Sequence, residues 1–339
     1  MRLSAIGDTC HALAVIRRLQ DNWPDANITW IIGKTEAGLM SDIPDIEFVI
    51  FDKSRGLGAY KDVRGQLRGK HFDVALCMHA SLRANLLIPS IPAAIRLGFD
   101  KDRARDYQWL FTNQRIDAAQ GEHAMEAMMS FATAIGAQER PLRWDIPLSA
   151  EDRGFARRFT DDDRPLVAIS PCSSQRAHNF RNWDMRNYAA AIEHLESQYD
   201  ARIVLTGGPS DLESEYGSVL ASDSDADDLV GHTSLKQLAA LIAAADLVIC
   251  PDSGPAHMAT ALGTTVIGLY ATSNPDRTGP YSSKTFTINR YPDAIERYLG
   301  RNVADVAWGQ RVRDPDAMDL ITVEDILQSI DVFFDERGN

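Results

Sequence analysis

The chain has 339 residues, of which 45% are hydrophobic and 24% are charged, a composition typical of soluble globular proteins with two ordinary domains. No apolar run approaches the length of a membrane span, and the first residues lack a signal peptide's apolar core, which argues against membrane-spanning and secreted proteins. The four cysteines, Cys10, Cys77, Cys172 and Cys250, have neither metal-binding nor redox spacing. We therefore expect a reduced, cytoplasmic protein.

The net charge of −13 is distributed unevenly along the chain. Residues 1–150 contain 18 basic and 18 acidic residues, so the whole excess of negative charge lies after residue 150. Within the first half, residues 53–105 contain 11 basic and only four acidic residues. This local positive field predicts an anionic partner for the N-terminal half. Nucleic acid is excluded as that partner, because aromatic residues do not alternate with the basic ones and no binding module is recognisable.

Strand and helix candidates alternate along the chain, which predicts parallel sheets with helices on both faces. In the first half, the predicted strands are Ile28–Ile32, Phe48–Phe51, Asp73–Met78 and Ala94–Leu97, and the predicted helices are Cys10–Asn22, Tyr60–Gly69 and Glu122–Ile135. Residues 138–165, rich in proline and charge, are predicted to form a linker. In the second half, the predicted strands are Leu166–Ser170, Arg202–Thr206, Leu247–Cys250 and Thr265–Tyr270, and the predicted helices are Met185–Gln198, Leu235–Ala245, Ala256–Leu262 and Thr322–Phe334.

The turn that follows the predicted strand Leu247–Cys250 is especially informative. It contains Asp252, Ser253 and Gly254, and Pro255 falls at the first predicted position of the next helix, where its missing N–H is harmless. The free N–H groups and the dipole at the start of a helix suit a phosphate or diphosphate. The turn therefore predicts an anionic, nucleotide-like ligand, although a simple helix cap would produce the same pattern.

Four motifs together resemble the heptosyltransferases of lipopolysaccharide core assembly, glycosyltransferase family 9. They are Arg2-Leu3-Ser4-Ala5-Ile6-Gly7-Asp8, Arg181-Asn182-Trp183, Gly207-Gly208-Pro209 and Asp252-Ser253-Gly254-Pro255-Ala256-His257. The resemblance extends over residues 2–285 and implies an α/β GT-B fold, with two Rossmann-like parallel-sheet domains facing a cleft. It implies an N-terminal acceptor-binding domain over 1–150, a C-terminal donor-binding domain over 151–320, and a C-terminal helix within 321–339 that crosses back to the N-terminal domain.

The same resemblance implies an inverting transfer of heptose from ADP-heptose, the nucleotide-sugar donor, onto the anionic lipopolysaccharide inner core. ADP-heptose is then a substrate, and no cofactor is expected. The transfer is expected to be metal-independent, because the Asp-x-Asp triplets of the chain lie in charged or proline-containing loops away from apolar strand ends. The protein is expected at the cytoplasmic face of the inner membrane, with peripheral contact to its surface.

Asp8 is the candidate general base, because inverting transfer needs one carboxylate to take the proton of the acceptor hydroxyl. A helix cap is the alternative role for Asp8, and both roles can coexist. His11, one turn later, is expected at the helix surface. The expected acceptor-binding residues are Ser4, Gly7, Arg64, Arg68 and Arg83, with Arg64 and Arg68 one turn apart on a single helical face.

The expected donor-binding residues are Ser173, Ser174, Arg181, Gly207, Gly208, Asp252, Ser253, Gly254, Pro255 and His257. The guanidinium of Arg181 can bind the diphosphate through two hydrogen bonds and neutralise charge as ADP leaves. Asp252 is expected to accept hydrogen bonds from hydroxyls of the donor sugar. Gly207 and Gly208 would let the backbone approach the ribose, although glycines that end a strand also simply form turns.

Two alternatives remain open from the sequence. One is a GT-B relative that uses another nucleotide sugar, such as an epimerase or another glycosyltransferase; an epimerase needs several carboxylates and a histidine around one sugar, whereas the N-terminal motif supplies Asp8 alone. The other is a non-catalytic nucleotide-sugar-binding protein. The chain also departs from the family, because only Met1 precedes the opening motif where a full apolar strand is usual. This departure favours a start upstream of Met1 over a first strand reduced to a stub.

Overall fold

The structure of the protein, a computed structural model, describes residues 1–173 and 179–338. The chain divides into two compact units, Met1–Pro147 (unit 1) and Leu148–Asn339 (unit 2). Each unit is built from parallel strands that alternate with helices. Among the described residues, no helix is both long and apolar enough to cross a membrane.

Unit 1 contains two short parallel sheets, one of strands β1-β2 and one of strands β3-β4-β5. Its elements in chain order are α1 (Ile6–Asn22), β1 (Ile28–Gly33), α2 (Lys34–Met40), β2 (Ile46–Phe51), α3 (Leu57–Gln66), β3 (Phe72–Leu76), α4 (Leu82–Asn85), β4 (Ala93–Gly98), β5 (Gln114–Arg115) and α5 (Ala124–Ala134). Single turns of 3₁₀ helix cover Lys53–Arg55, Ile88–Ser90 and Gln108–Leu110.

The first three residues lie between these two sheets. On one side, the N–H of Arg2 donates to the carbonyl of Ile31 at 3.2 Å, and the N–H of Gly33 donates to the carbonyl of Leu3 at 2.9 Å. On the other side, the amino group of Met1 donates to the carbonyl of Leu76 at 2.6 Å. This segment therefore fills the position of a strand between β1 and β3, because its backbone is hydrogen-bonded on both sides.

The described residues of unit 2 form a six-stranded parallel sheet in the order β11-β10-β9-β6-β7-β8. Its elements in chain order are α6 (Ala150–Arg157), β6 (Leu166–Ile169), α7 (Met185–Tyr199), β7 (Arg202–Leu205), α8 (Asp211–Ser222), β8 (Asp227–Asp228), α9 (Leu235–Ala244), β9 (Leu247–Pro251), α10 (Gly254–Leu262), β10 (Thr265–Tyr270), α11 (Pro275–Thr278), β11 (Thr287–Asn289), α12 (Tyr291–Leu299) and α13 (Val323–Gly338). Single turns of 3₁₀ helix cover Lys284–Phe286, Val303–Asp305 and Ala317–Leu320.

The four central strands of unit 2, β7, β6, β9 and β10, are buried apolar segments, as expected for strands covered on both faces. All four run in the same direction, so the loops that follow them lie along one edge of the sheet. The chain leaves β6 toward β7 on one side, whereas β9 lies on the other side. Ligands of open parallel sheets bind at such a change of direction.

One segment differs from the sequence-based expectations. Residues 138–165 were expected to be a linker, yet they contain α6, which is capped by the hydroxyl of Ser149 and packs against α9. The last helix, α13, packs against α7, and Ile326, Ile330 and Phe333 bury its apolar face in the core of unit 2. Its crossing to the N-terminal domain stays a prediction.

The position of Met1–Leu3 can be tested at Gly33. A Cβ atom at Gly33 would clash with the carbonyl oxygen of Leu3 and with the carboxylate of Glu36, so Gly33→Ala must displace the backbone that accepts its hydrogen bond as well as that side chain. We expect a loss of about 1–3 kcal/mol in the free energy of unfolding, measured by urea denaturation. The control is Gly65→Ala in α3, where no atom lies within 4 Å of the new Cβ and the change should be neutral or slightly stabilising. Equal stability of the two variants would show that the first residues are not held against β1.

Candidate functional site

The candidate base Asp8 lies in the first turn of α1, because this helix begins at Ile6 rather than at Cys10. Its carboxylate accepts a hydrogen bond from the N–H of Ala5 at 3.2 Å, which is a capping contact. The same oxygen forms an ion pair with the guanidinium of Arg2. The Asp8 side chain is 36% exposed, so the carboxylate is both a helix cap and reachable from solvent.

Arg2 is a residue of this site that the sequence analysis did not single out. Its side chain is only 12% exposed, and its Nη1 donates to the carbonyl of Met78 at 2.7 Å, just after β3. A carboxylate that acts as a general base must carry negative charge before the reaction. The nearly buried guanidinium of Arg2 is the partner for that charge, and it fixes the position of the carboxylate.

Two further titratable groups, His79 and Glu36, surround this pair. The Nδ1 of His79 accepts a hydrogen bond from the N–H of Leu3 at 3.2 Å. Burial, and then the nearby charge of Arg2, lower the pKa of His79 to about 3. Burial also raises the pKa of Glu36, which is 9% exposed, although the charges of Lys53 and Arg2 oppose that shift.

Both residues could have been found from the sequence. His79 directly follows the predicted strand that ends at Met78, and Glu36 lies in the turn after the strand that ends at Ile32. Polar residues at the carboxyl ends of parallel strands are candidate ligand-binding groups. The expectation for His11 was wrong: it is 2% exposed, with its ring edge against that of His123 at a centroid distance of 5.8 Å, because α1 packs against α5.

The predicted acceptor-binding residues of unit 1 do not all lie as expected. Helix α3 ends at Gln66, so Arg64 lies in its last turn whereas Arg68 lies beyond its end. The two arginines therefore do not share one helical face. The physical reason is that Leu67, 2% exposed, turns into the core at the C-cap, and the N–H of Arg68 bonds the carbonyl of Gly65 at 3.2 Å.

The other three predicted acceptor-binding residues lie near the ends of α1 and α4. Ser4 precedes α1 and is partly buried, and Gly7 lies in the first turn of that helix and is itself buried. Arg83 lies in α4 and is exposed, and its carbonyl accepts a hydrogen bond from the hydroxyl of Tyr60 at 3.2 Å. Its charge contributes to the lowered pKa of His79.

In unit 2, the structure brings Arg181 and Asp252 into direct contact. The Nη1 of Arg181 donates to the backbone carbonyl of Asp252 at 2.7 Å and lies 3.4 Å from its carboxylate. The Nε of Arg181 donates to the side chain of Asn179 at 2.9 Å. Arg181 comes from the loop after β6 and Asp252 from the loop after β9. These loops are neighbours because β6 and β9 pair in the sheet.

Arg311 is a second cation at Asp252 that sequence reasoning missed. Its Nη2 lies 3.8 Å from the carboxylate of Asp252, whose side chain is 8% exposed. A backbone bridge to Ser273, which follows β10, positions Arg311, and the N–H of Val312 donates to the carbonyl of Thr272 at 3.0 Å. No sequence signal identifies Arg311, because it lies in an irregular segment far along the chain from Asp252.

The start of α10 provides the expected anion-binding geometry. The helix begins at Gly254, so Ser253 is its N-cap and Pro255 occupies its second position rather than its first. The first N–H groups of a helix have no acceptor within it. They point away from the helix and can donate to an anion. His257, 9% exposed, lies in the first turn of the same helix. Helix start, Arg181 and Arg311 together form a cationic cluster at one edge of the sheet.

The remaining donor-binding predictions lie at the same edge. The N–H of Ser173 donates to the side chain of Asn182 at 2.9 Å, which fixes the loop after β6, and the predicted Ser174 lies outside the described residues. Gly207 and Gly208 follow β7, where the carboxylate of Glu213 accepts the N–H of Gly208 at 2.8 Å. A Cβ at either glycine would approach this carboxylate to 3.2–3.3 Å, so the glycines make room for Glu213.

Within residues 1–173 and 179–338, no three histidine, cysteine, aspartate or glutamate side chains form a group that could hold a metal ion. The four cysteines are buried, and burial raises the pKa of Cys10, Cys172 and Cys250 to about 12. Their thiols therefore remain protonated at neutral pH and are not nucleophiles.

Comparisons with known proteins place these observations in a family. The family model for glycosyltransferase family 9 (heptosyltransferase) matches residues 61–297. The lipopolysaccharide core heptosyltransferase OpsX of Haemophilus influenzae is 37% identical over 329 residues, which are 96% of this chain and 94% of that protein.

Solved structures show the same fold. A family 9 glycosyltransferase from Veillonella parvula has a TM-score of 0.78 at 20% identity, covering 98% of this chain and 95% of that one. The E. coli heptosyltransferase WaaC with ADP has a TM-score of 0.74 at 19% identity, covering 98% of this chain and 100% of that one. The prediction of an α/β GT-B fold with Rossmann-like parallel-sheet domains is confirmed.

The neutral state of His79 makes stability depend on pH. An unfolded histidine takes up a proton below pH of about 6.5, whereas folded His79 does so only near pH 3, so stability is lost as the pH falls between these values. The free energy of unfolding of the wild type should fall between pH 7 and pH 5. In His79→Gln this fall should be smaller by about 2 kcal/mol, measured by urea denaturation. The exposed residue His71 is the control, since His71→Gln should leave the decrease unchanged. The same decrease in His79→Gln and wild type would contradict the assignment of a neutral His79.

Proposed function

This chain belongs to glycosyltransferase family 9, the heptosyltransferases, and we propose that it transfers a heptose from ADP-heptose to the lipopolysaccharide inner core. The observation that carries the choice of donor is the cluster at the start of α10. There, Arg181 and Arg311 can bind a diphosphate, while the carboxylate of Asp252 between them can accept hydrogen bonds from sugar hydroxyls. In a nucleotide sugar, a diphosphate and sugar hydroxyls lie side by side.

The proposed reaction is a single displacement at the anomeric carbon of the heptose. A hydroxyl oxygen of the acceptor attacks this carbon from the face opposite to the diphosphate, and its proton passes to the carboxylate of Asp8. The bond between the anomeric carbon and the diphosphate oxygen breaks, and ADP leaves with the electron pair. The configuration of the heptose is therefore inverted.

The leaving diphosphate gains negative charge as its bond to the sugar breaks. In this proposal, the guanidinium groups of Arg181 and Arg311 and the N–H groups at the start of α10 stabilise that charge. These fixed cations support a transfer that requires no metal ion and no cofactor. In this proposal, unit 2 binds the donor.

Unit 1 binds the acceptor in this proposal, with Ser4, Gly7, Arg64, Arg68 and Arg83 as the contacting residues. The acceptor is anionic, and residues 53–105 carry the positive charge that would attract it. Because lipopolysaccharide core is built on a lipid, the protein would act at the cytoplasmic face of the inner membrane. Peripheral contact with that surface would bring the acceptor to unit 1.

The role of Asp8 is tested by comparing two variants, Asp8→Asn and Asp8→Ala. The amide oxygen of asparagine can still accept the N–H of Ala5, so the helix cap is kept while the base is removed. We expect turnover with ADP-heptose and a defined core acceptor to fall by roughly a hundredfold or more. Donor affinity, measured by calorimetry with ADP-heptose alone, should stay near that of wild type.

The two arms of this test separate the roles of the carboxylate. Near-normal turnover in Asp8→Asn, combined with a large loss in Asp8→Ala, would make Asp8 a structural cap and place the base elsewhere. Absence of turnover by wild type on every core acceptor, with donor binding intact, would overturn the proposed function. All assays are run with and without EDTA, and turnover that requires added divalent metal would contradict metal independence.

Arg181 and Asp252 should affect different ends of the donor. Arg181→Ala removes a positively charged hydrogen-bonding group from the diphosphate. We therefore expect a loss of ADP affinity of roughly tenfold or more in calorimetry. Asp252→Asn keeps the backbone carbonyl that accepts from Arg181, so it should lower ADP affinity less than Arg181→Ala does, and it should weaken the additional affinity for ADP-heptose over ADP. Arg181→Lys is the matched control, because it keeps the charge and should restore part of the affinity. The reverse pattern would mean that the two ends of the donor are assigned wrongly.

A further inference from the structure

A group of large apolar side chains on unit 1 is exposed to solvent. They lie on α4 and on the 3₁₀ turn near residue 108, and each is 48–68% exposed: Leu82, Leu86, Tyr107, Trp109 and Leu110. We call these five residues the 82–110 surface. The rings of Tyr107 and Trp109 lie edge to face with their centroids 6.5 Å apart. Grouped exposed apolar side chains, rather than scattered single ones, mark a site of interaction.

Hydrogen bonds hold the two parts of the 82–110 surface together. The N–H of Leu82 donates to the carboxylate of Asp106 at 2.8 Å. The side chain of Asn85, fully buried, donates to the carbonyls of Arg105 and Asp106 at 3.1 and 2.8 Å. Helix α4 and residues 105–110 therefore form one surface rather than two independent loops.

The backbone turns the aromatic side chains outward. Asp106 and Tyr107 both have positive φ angles, +51° and +57°, in the left-handed region that favours glycine. Gln108, between the exposed rings, is fully buried, and its side chain donates to the carbonyl of Cys77 at 2.9 Å and accepts the N–H of Phe99 at 3.0 Å. An unfavourable backbone that keeps a polar side chain inside and apolar ones outside is typical of functional segments.

The charge around the 82–110 surface has the opposite sign to that of the whole protein. Within residues 82–110, three exposed cations, Arg83, Lys101 and Arg105, outnumber two exposed carboxylates, Asp102 and Asp106. The three cations belong to residues 53–105, which carry a net positive charge in a chain of net charge −13. Tryptophan, tyrosine and leucine bordered by arginine and lysine are characteristic of protein surfaces at the boundary between water and anionic lipid.

We propose that the 82–110 surface docks unit 1 onto an anionic lipid bilayer. The apolar side chains enter the boundary between headgroups and acyl chains, and the neighbouring cations bind the negatively charged headgroups. The protein is otherwise acidic and would be repelled by such a bilayer, so the positive charge near this surface also orients it. The choice of partner rests on the proposed function, whose acceptor is built on a lipid, but the binding itself requires neither donor nor acceptor.

The test measures flotation of the full chain with vesicles of phosphatidylethanolamine and phosphatidylglycerol, without ADP-heptose or acceptor. Wild type should float with these vesicles, less so with phosphatidylcholine vesicles, and less at high salt. Trp109→Ser combined with Leu110→Ser should weaken the partition by roughly tenfold. The matched control is Trp23→Ser combined with Leu299→Ser, which removes one exposed tryptophan and one exposed leucine elsewhere and should float as wild type does.

A charge variant and an activity assay complete the test. Arg105→Glu should reduce flotation with anionic vesicles while leaving the apolar side chains in place. Turnover of the Trp109 and Leu110 variant on a water-soluble, delipidated core acceptor should equal that of wild type, so a failure of lipid docking and a failure of the proposed transfer give different results. Unchanged flotation of that variant, or wild type that does not float, would overturn the proposal. A concentration-dependent dimer in sedimentation that the variant loses would instead assign the surface to a second copy of the chain and would equally overturn it.

Discussion

The organisation of the candidate donor site depends on one buried carboxylate. Asp252 is 5% exposed and directly follows a fully buried strand, so its charge is largely removed from water. A buried carboxylate is tolerated when cations and hydrogen-bond donors replace water, and removing a partner from such a pair is destabilising by about 3–5 kcal/mol. Here Arg181 and Arg311 take that role from two different segments. The carboxylate therefore holds three parts of the chain together at the sheet edge where the helix α10 begins.

The cluster in unit 1 follows the same physical logic with different groups. Asp8, partly exposed, is paired with a nearly buried arginine, and His79 beside them is kept neutral by burial. A neutral imidazole can accept the backbone N–H of Leu3, which a protonated ring could not do at that nitrogen. Charge is thus concentrated in the pair of Asp8 and Arg2, and the surrounding groups hold the backbone of the first residues in place.

Much of the fold could be predicted from the sequence because the central strands are short apolar runs between polar turns. Leu166–Ile169 and Leu247–Pro251 are examples, and both are fully buried. The helices α2, α4, α8, α11 and α12 were missed, since they are short or rich in polar residues. The two-residue strands β5 and β8 depend on pairing with a neighbouring strand, which no local pattern records. For the same reason, α6 was hidden within a segment whose proline and charge predicted a linker.

The residues of the candidate site likewise divide into those that the local sequence identifies and those that it does not. Asp252 and Arg181 could be identified because they follow buried strands, and the carboxyl ends of parallel strands meet at one edge. Arg311 could not, since only tertiary structure brings an irregular segment to that edge. The burial of His11 depends on a covering helix, α5, and the separation of Arg64 from Arg68 depends on where one helix ends. Long-range packing decides each of these three cases.

Three consecutive carbonyl groups after β3 connect the exposed aromatic residues of unit 1 with its candidate base. Those of Cys77 and His79 accept hydrogen bonds from Gln108, which supports the exposed aromatic residues, and that of Met78 accepts from Arg2, which holds Asp8. The 82–110 surface and the candidate base are therefore attached to the same short piece of backbone. A bilayer bound at that surface would lie at a set distance from the Asp8 carboxylate. The distance of the Asp8 carboxylate from the lipid would then determine which hydroxyl of the acceptor it can reach.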